Sequence, residues 1–290
     1  MKKRILIYGG SGQIGSRAVE LLKKKYFVSA PSSAKIDVKN REQVIKHLRR
    51  TRPDQILYAV GFTSIDEAIN KPGDSFLLNA ASLMYICHEA AKMKIPVLHL
   101  STEVVFDGTK TKGPYTETDT PNPVSINGMT KRLGELVVLG ASPANCVARL
   151  IICYSSHYKR KSDIARMALL KIKKGEIFTA TNDQEINPVY VDHLIQSLEV
   201  LINNKAQGIY HIGATNYTTP YQFVKKMVQA FGLDETLVKS TTFKEFSATR
   251  PGARPQHEWL SVKKFEKNFG KGILKTVENG IEDFRKNYKE

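Results

Sequence analysis

Arg4-Ile-Leu-Ile-Tyr8-Gly9-Gly10-Ser11-Gly12-Gln13-Ile14-Gly15 is the stretch that decides the fold. An apolar run from Ile5 to Tyr8 stops at a cluster of glycines, and Ala18, Val19, Leu21 and Leu22 then recur with helical spacing. The order is strand, glycine turn, helix. Glycines at such a turn permit a tight reversal and bring backbone N–H groups close to a pyrophosphate, whose charge the helix N-terminus favours. The cluster parses as GxxGxxG through Gly9, Gly12 and Gly15, or as GxGxxG through Gly10, Gly12 and Gly15. Either parse predicts a dinucleotide site, with Gln13 and Ile14 among its cofactor-binding residues.

Outward from this stretch the alternation continues. A second strand at Phe27 to Ala30 is followed by Pro31-Ser-Ser-Ala-Lys35, without the acidic residue that would grip an NAD ribose. Ser32, Ser33 and Lys35 suit a 2′-phosphate, so NADP(H) is expected over NAD(H). Asp37-Val38 leads into a helix from Arg41 to Arg50, and the continuous apolar run Gln55 to Val60 predicts a buried parallel strand. A helix from about Phe76 to Lys92, a strand Val97 to Leu100 ending at Ser101-Thr102, and a strand Cys146 to Ile152 complete the pattern. The fold class is α/β, a Rossmann-type doubly wound parallel sheet over residues 1–155, whose C-terminal strand edge binds ligand.

Beyond residue 155 the rhythm loosens: helices at Ser162 to Lys174, Val191 to Ile202 and Pro220 to Phe231, a strand at Gly208 to Ile212, and an irregular segment marked by Pro251 and Pro255. Residues 156–290 are expected to form mainly a smaller C-terminal substrate-binding lobe, with elements of the two regions interleaved.

The composition of the 290 residues, 41% hydrophobic and 25% charged, is that of a globular chain with a full core. No apolar stretch approaches the roughly 20 residues that span a bilayer, and the start lacks the long apolar core of a signal peptide, so no membrane and a cytoplasmic location are expected. Cys87, Cys146 and Cys153 show no CxxC spacing and read as buried free thiols. Seven scattered histidines lack metal-ligand spacing, and no metal site is predicted. The net charge of +16 favours an anionic ligand. Its lysines are spread without a nucleic-acid-binding module, so nucleic acid is not an expected partner.

Further segments carry a resemblance: Gly61-Phe-Thr-Ser-Ile-Asp66-Glu-Ala68, Asn79-Ala80, Ser101-Thr-Glu-Val-Val-Phe-Asp-Gly108, Pro114-Tyr-Thr-Glu117-Thr-Asp119, Gly128 with Lys131 and Gly134-Glu135, Asp183-Gln184 with Pro188, and Arg250-Pro251. Nearly end to end, the chain resembles the extended short-chain dehydrogenase/reductases, and within them the dTDP-4-dehydrorhamnose reductase type. The resemblance implies that Gly9, Gly12 and Gly15 hold the pyrophosphate, that Asp37-Val38 borders the adenine, and that Ala59, Gly61 and Thr63 line the nicotinamide side. It makes Thr102 the catalytic hydroxyl and Lys131 the lysine that bonds the nicotinamide ribose. Asn79 organises the backbone, Arg250 lies near the sugar-nucleotide diphosphate, and Glu103 and Val104 face the substrate. A homodimer is compatible with it.

Two departures accompany the matches. The family's tyrosine, four residues before the lysine, falls on Asn127, and its Asp-Tyr after Ser-Thr is Glu103-Val104 here. A phenol beside an ammonium protonates the alkoxide that hydride addition creates; an amide only donates a hydrogen bond. Losing a general acid costs about 10² to 10⁴ in rate. The expected function is an NAD(P)H-dependent reductase of a nucleoside-diphosphate 4-keto-6-deoxysugar, in deoxysugar and polysaccharide biosynthesis, with an atypical proton donor. Thr102, Lys131 or a water held by Asn127 are the candidates for that donor. The alternative is a homologue that has lost the chemistry and acts as a cofactor-binding or regulatory subunit.

Overall fold

The computed structural model describes residues 2–289, and its chain divides into two compact units. The first takes in Met1–Phe106, Pro121–Arg149 and Leu198–Tyr210; the second takes in Asp107–Thr120, Leu150–Ser197 and His211–Glu290.

The first unit alternates β1 (Arg4–Tyr8), α1 (Gln13–Leu22), β2 (Phe27–Ser29), α2 (Arg41–Thr51), β3 (Gln55–Tyr58), two short helices α3 (Ile65–Asn70) and α4 (Pro72–Phe76), α5 (Ser82–Lys92), β4 (Val97–Thr102), α6 (Ile126–Ala141) and β5 (Cys146–Leu150). The sheet runs β2-β1-β3-β4-β5, with strand Gly208–Ile212 beyond β5. β1 pairs in parallel with β2 on one side and β3 on the other, and β3 pairs in parallel with β4. The strand order therefore reverses at β1, and the crevice outside such a switch point is where open α/β sheets bind ligands. Tyr8 lies opposite Tyr58 in the ladder, so the glycine loop after β1 and the segment Ala59–Val60–Gly61 after β3 leave the sheet side by side.

Every residue of β3 is buried, as its unbroken apolar run predicts for a strand covered on both faces. Leu6, Tyr8, Val44, Leu48, Ile56 and Leu83 lie in one core cluster. α2 starts where Asn40 accepts from the Gln43 N–H and ends at Arg52, whose left-handed φ of 40° closes the last turn on Leu48 O. The helix predicted from Phe76 is instead α4 and α5 joined by a widened π turn, Leu77–Ala81, which contains Asn79.

In the second unit β6 (Cys153–Tyr154) is followed by α7 (Ile164–Lys173), β7 (Phe178–Thr181), β8 (Val189–Tyr190) and α8 (Val191–Asn203). Then come β9 (Gly208–Ile212), which is the sixth strand of the large sheet, α9 (Pro220–Ala230), β10 (Val238–Thr241), α10 (Phe243–Ala248), α11 (Lys263–Phe269) and α12 (Val277–Asn287). β6 pairs with β8 and β7 with β10, both in parallel. The core is aromatic: Tyr154 meets Phe223 edge-on at 5.0 Å between centroids and Phe284 at 5.7 Å. Gly280 makes room for it, since a Cβ there would lie 2.3 Å from the Tyr154 hydroxyl.

None of the three cysteines is in a disulfide; Cys87 and Cys146 are buried as expected, Cys153 is half-buried, and burial pushes the Cys87 thiol up to about 12. Among the described residues no helix is long and apolar enough to cross a membrane, and no three His, Cys, Asp or Glu side chains gather as a metal site would need.

Candidate active site

The glycine loop is built by close approach. Gly9 has φ +87°, and a Cβ on it would fall 2.7 Å from the Ala59 backbone. Gly15 sits on the loop so tightly that its Cβ would come 2.1 Å from Gly9 O, while that of Gly10 would press on Ala30 at 2.8 Å. Gly12 differs: its Cβ would meet nothing nearer than Gly9 O at 3.4 Å, so packing does not demand a glycine there. As N-cap of α1 it offers no side chain to the first turn, which begins with Gln13 and Ile14 and carries no acidic residue. The positive end of the helix is thus left for an anion, and the cradle fits a pyrophosphate.

Asp37 turns the chain into α2, accepting from Lys39 N–H at 3.0 Å, and Val38 O accepts from the Tyr85 hydroxyl. After β3, Ala59 N–H donates to Tyr8 O at 2.9 Å. The next residues are clamped at Phe62, whose N–H donates to Asn79 Oδ1 at 2.9 Å and whose carbonyl accepts from Asn79 Nδ2 at 3.2 Å and Asn127 Nδ2 at 2.5 Å. Gly61 needs its missing side chain for Lys131: a Cβ would lie 2.7 Å from Nζ. Thr63 follows this clamp in the same segment.

α6 brings an unusual set of residues inward. Its buried stripe includes Asn127, Thr130, Lys131 and Glu135, polar residues at helical spacing where apolar ones are usual. Gly128 lets this helix rest on the 3₁₀ turn Glu103–Val105, because a Cβ there would fall 2.2 Å from Val104 O. The Lys131 ammonium donates to Leu100 O at 3.0 Å, and burial holds its pKa down to about 8, with Glu135 pulling the other way. It therefore remains charged at neutral pH. His99, wholly buried on β4 with neither ring nitrogen bonded, is kept well below the usual histidine range by burial and then by Lys131. One more turn along α6, Glu135 accepts from Ser101 Oγ, Arg132 Nη1 and, through both oxygens, Arg149.

At the end of β4, Thr102 Oγ1 donates to Glu103 Oε2 at 2.6 Å, and Val104 N–H donates to the same hydroxyl at 3.4 Å. Glu103 is 9% exposed, and burial pushes its carboxyl up to about 7. Val104 is buried beneath Gly128.

In the second unit the Arg250 guanidinium stacks 4.2 Å from the Phe246 ring centroid, with Arg254 over the same ring at 5.9 Å. Both arginines line a groove of about 700 Å³ together with Met167, Thr179, Thr181 and Gln184. The sequence reading named Arg250 alone. The signal for Arg254 was present, since the two arginines stand four residues apart in Arg250-Pro-Gly-Ala-Arg254-Pro255. No signal marked the alternate threonines of β7.

The structure thus gathers Gly61, Asn79, Asn127 and Lys131 around Phe62, and ties Thr102 to Glu103. Comparison with known proteins gives the family. The dTDP-4-dehydrorhamnose reductase of Escherichia coli strain K12 is 30% identical, over 91% of each chain, and that of Aggregatibacter actinomycetemcomitans is 27% identical over 92% of this chain and 93% of its own. A crystal structure of dTDP-4-dehydrorhamnose reductase from Bacillus anthracis str. Ames in complex with NADP superposes with a TM-score of 0.90 at 25% identity, covering 98% of this chain and 99% of that one. The model of the RmlD substrate binding domain matches residues 2–289, so the fold, the glycine cradle and the buried lysine all belong to a chain that is a member of that family.

Proposed function

We propose that the protein is an NADP(H)-dependent reductase of a nucleoside-diphosphate 4-keto-6-deoxysugar, serving deoxysugar and polysaccharide biosynthesis. The observation that carries this reading is Lys131: a buried ammonium beside Gly61, at the crevice where the sheet order reverses. Keeping a cation desolvated with a single carbonyl partner is costly unless a ligand completes its shell.

Gly9, Gly12 and Gly15 with the N-terminus of α1 would hold the pyrophosphate, Asp37 and Val38 would border the adenine, and Ala59, Gly61 and Thr63 would line the nicotinamide side. Lys131 would bond the ribose hydroxyls. A bound reduced nicotinamide supplies the hydride. Thr102 would donate a hydrogen bond to the ketone oxygen, and that oxygen becomes more basic as the carbonyl carbon is reduced. Arg250 and Arg254 would pair with the diphosphate of the substrate, each offering planar donors suited to phosphate oxygens, and the apolar part of the groove would take the base. We read the second unit as the substrate lobe for this reason. The absence of an acidic residue after β2, with Ser32, Ser33 and Lys35 in its place, supports NADP(H), as does the NADP in the Bacillus anthracis relative. The relatives bear the names of reductases, which weighs against a subunit that only binds.

The test is NADPH oxidation by the purified protein with a dTDP-4-keto-6-deoxyhexose. The expected result is one deoxysugar product formed per NADPH consumed, with NADH used more slowly. Failure to consume either nucleotide with any nucleoside-diphospho-4-keto-6-deoxysugar would overturn the reading.

A further inference from the structure

Ketone reduction needs a proton as well as a hydride, and Asn127, four residues ahead of Lys131, has none to release. Its amide donates one hydrogen bond, to Phe62 O at 2.5 Å. The Lys131 ammonium is turned to Leu100 O. What stands next to Thr102 is a carboxyl, Glu103 Oε2 at 2.6 Å, buried and without an ion-pair partner among the described residues.

We infer that Glu103 is the proton source for the carbonyl reduction, acting through the hydroxyl of Thr102. This rests on the reductase function proposed above. The geometry explains why the carboxyl must be protonated for the site to work. A threonine hydroxyl has one hydrogen and two lone pairs. When Glu103 is ionised, Thr102 gives its hydrogen to Oε2 and accepts from Val104 N–H, so nothing is left for a substrate oxygen. When Glu103 is protonated, the 2.6 Å contact reverses, Thr102 accepts from the carboxyl, and its own hydrogen is free to point at the ketone. As the carbonyl carbon accepts a hydride, the ketone oxygen takes the Thr102 hydrogen and Thr102 takes the carboxyl proton. A secondary alcohol forms, the reduced nicotinamide is oxidised, and Glu103 is left as a carboxylate to be reprotonated from solvent. Glu103 is a positioning and supply residue, since of the two it is Thr102 that meets the ketone oxygen.

The electrostatic surroundings agree. Burial pushes the Glu103 carboxyl up to about 7, so near neutral pH it carries a proton that it can still give up. α6, which packs against this turn, brings Lys131, Arg132 and Glu135, and β4 brings His99. Arg132 and Arg149 hold Glu135, His99 stays neutral, and Lys131 on the same helix has a pKa of about 8.

The first test needs no substrate. An infrared difference spectrum between the unloaded wild type and Glu103→Gln is expected to show a protonated-carboxyl stretch at about pH 5 that disappears with a midpoint near 7. A midpoint in the ordinary carboxylate range would overturn the inference. In turnover with NADPH and a dTDP-4-keto-6-deoxyhexose, the wild-type kcat is expected to fall as pH rises through about 7. Glu103→Gln is expected to lose about 10² to 10⁴ in kcat with little change in KM, and to lose that pH step, leaving only the one due to Lys131. Glu103→Asp keeps part of the rate, and adding Asn127→Tyr to Glu103→Gln restores it by a different acid. If Glu103→Gln turns over at the wild-type rate, the inference falls and the reductase reading stands. If neither the wild type nor Asn127→Tyr turns over, the reductase reading falls and takes the inference with it.

Discussion

Three glutamates are buried in the first unit, Glu89, Glu103 and Glu135, and the last two are treated in opposite ways. Glu135 receives four charge-assisted or hydroxyl hydrogen bonds, from Ser101, Arg132 and both arms of Arg149, and is fully enclosed. Glu103, 9% exposed, receives one side-chain bond, from Thr102, and one from its own backbone N–H, and has no arginine partner among the described residues. A buried carboxylate persists only when donors replace the water it has lost. At Glu135 they do, and the charge ties β4, β5 and α6 into one rigid piece. At Glu103 they do not, and burial raises the affinity for a proton instead. The contrast separates a charge kept for the fold from a group kept responsive. The same contrast distinguishes Arg149, whose guanidinium also lies 5.0 Å from the Phe106 ring centroid, from Lys131 with one carbonyl partner.

The most damaging way to break this contrast is to remove the partner of the satisfied charge. Arg149→Met leaves Glu135 buried with Ser101 and Arg132 alone, and is expected to destabilise the protein by about 3 to 5 kcal/mol, measured by urea unfolding. A loss below about 1 kcal/mol would mean that Glu135 is not held as a charge.

A somewhat smaller effect should follow from the unsatisfied glutamate, with the opposite sign at high pH. The folded carboxyl of Glu103 is raised above its unfolded value, from 4.5 to about 7. Its contribution to stability is therefore fully present below about pH 4.5 and is lost as pH rises through 7. Relative to Glu103→Gln, the wild type should lose on the order of 3 kcal/mol between about pH 4.5 and pH 8. Parallel stability curves for the two proteins across that range would remove the distinction between Glu103 and Glu135.

The mildest perturbation sharpens the comparison at Lys131. Gly61→Ala places a methyl 2.7 Å from Nζ, and the flexible end of the lysine can give way. We expect NADPH affinity, followed by fluorescence titration, to weaken by about tenfold, or roughly 1.4 kcal/mol, with global stability little changed. Unaltered affinity would show that Lys131 does not reach the cofactor.

Much of the frame was legible in the sequence because periodicity records burial. The strands at Arg4, Gln55 and Val97 and the helices at Arg41 and Val191 start where apolar spacing places them. Strand ends were less so: β3 stops at Tyr58, β2 at Ser29 and β5 at Leu150, each short of its apolar run. The π turn at Leu77–Ala81 leaves no periodic trace, and Asn79 within it is bonded to Phe62, 17 residues away in sequence. At the site, the residue types Thr102, Lys131 and Asn127 could be picked out by spacing. The state of Glu103 could not, since it depends on how many donors the fold happens to bring, and one residue before Val104 looks like any exposed acid. The commitment of the Asn127 amide to Phe62 O was equally invisible, being a contact across 65 positions.

The chain's repeated crossing between its two units bears on how the molecule can be cut. Residues 198–210 supply the last turns of α8 and most of β9 to the first unit, although they follow nearly fifty residues assigned to the second. A fragment ending near residue 155 would retain the glycine loop and Lys131 yet leave β5 as a bare edge, with its ladder hydrogen bonds open to other chains. Such a truncation is expected to aggregate.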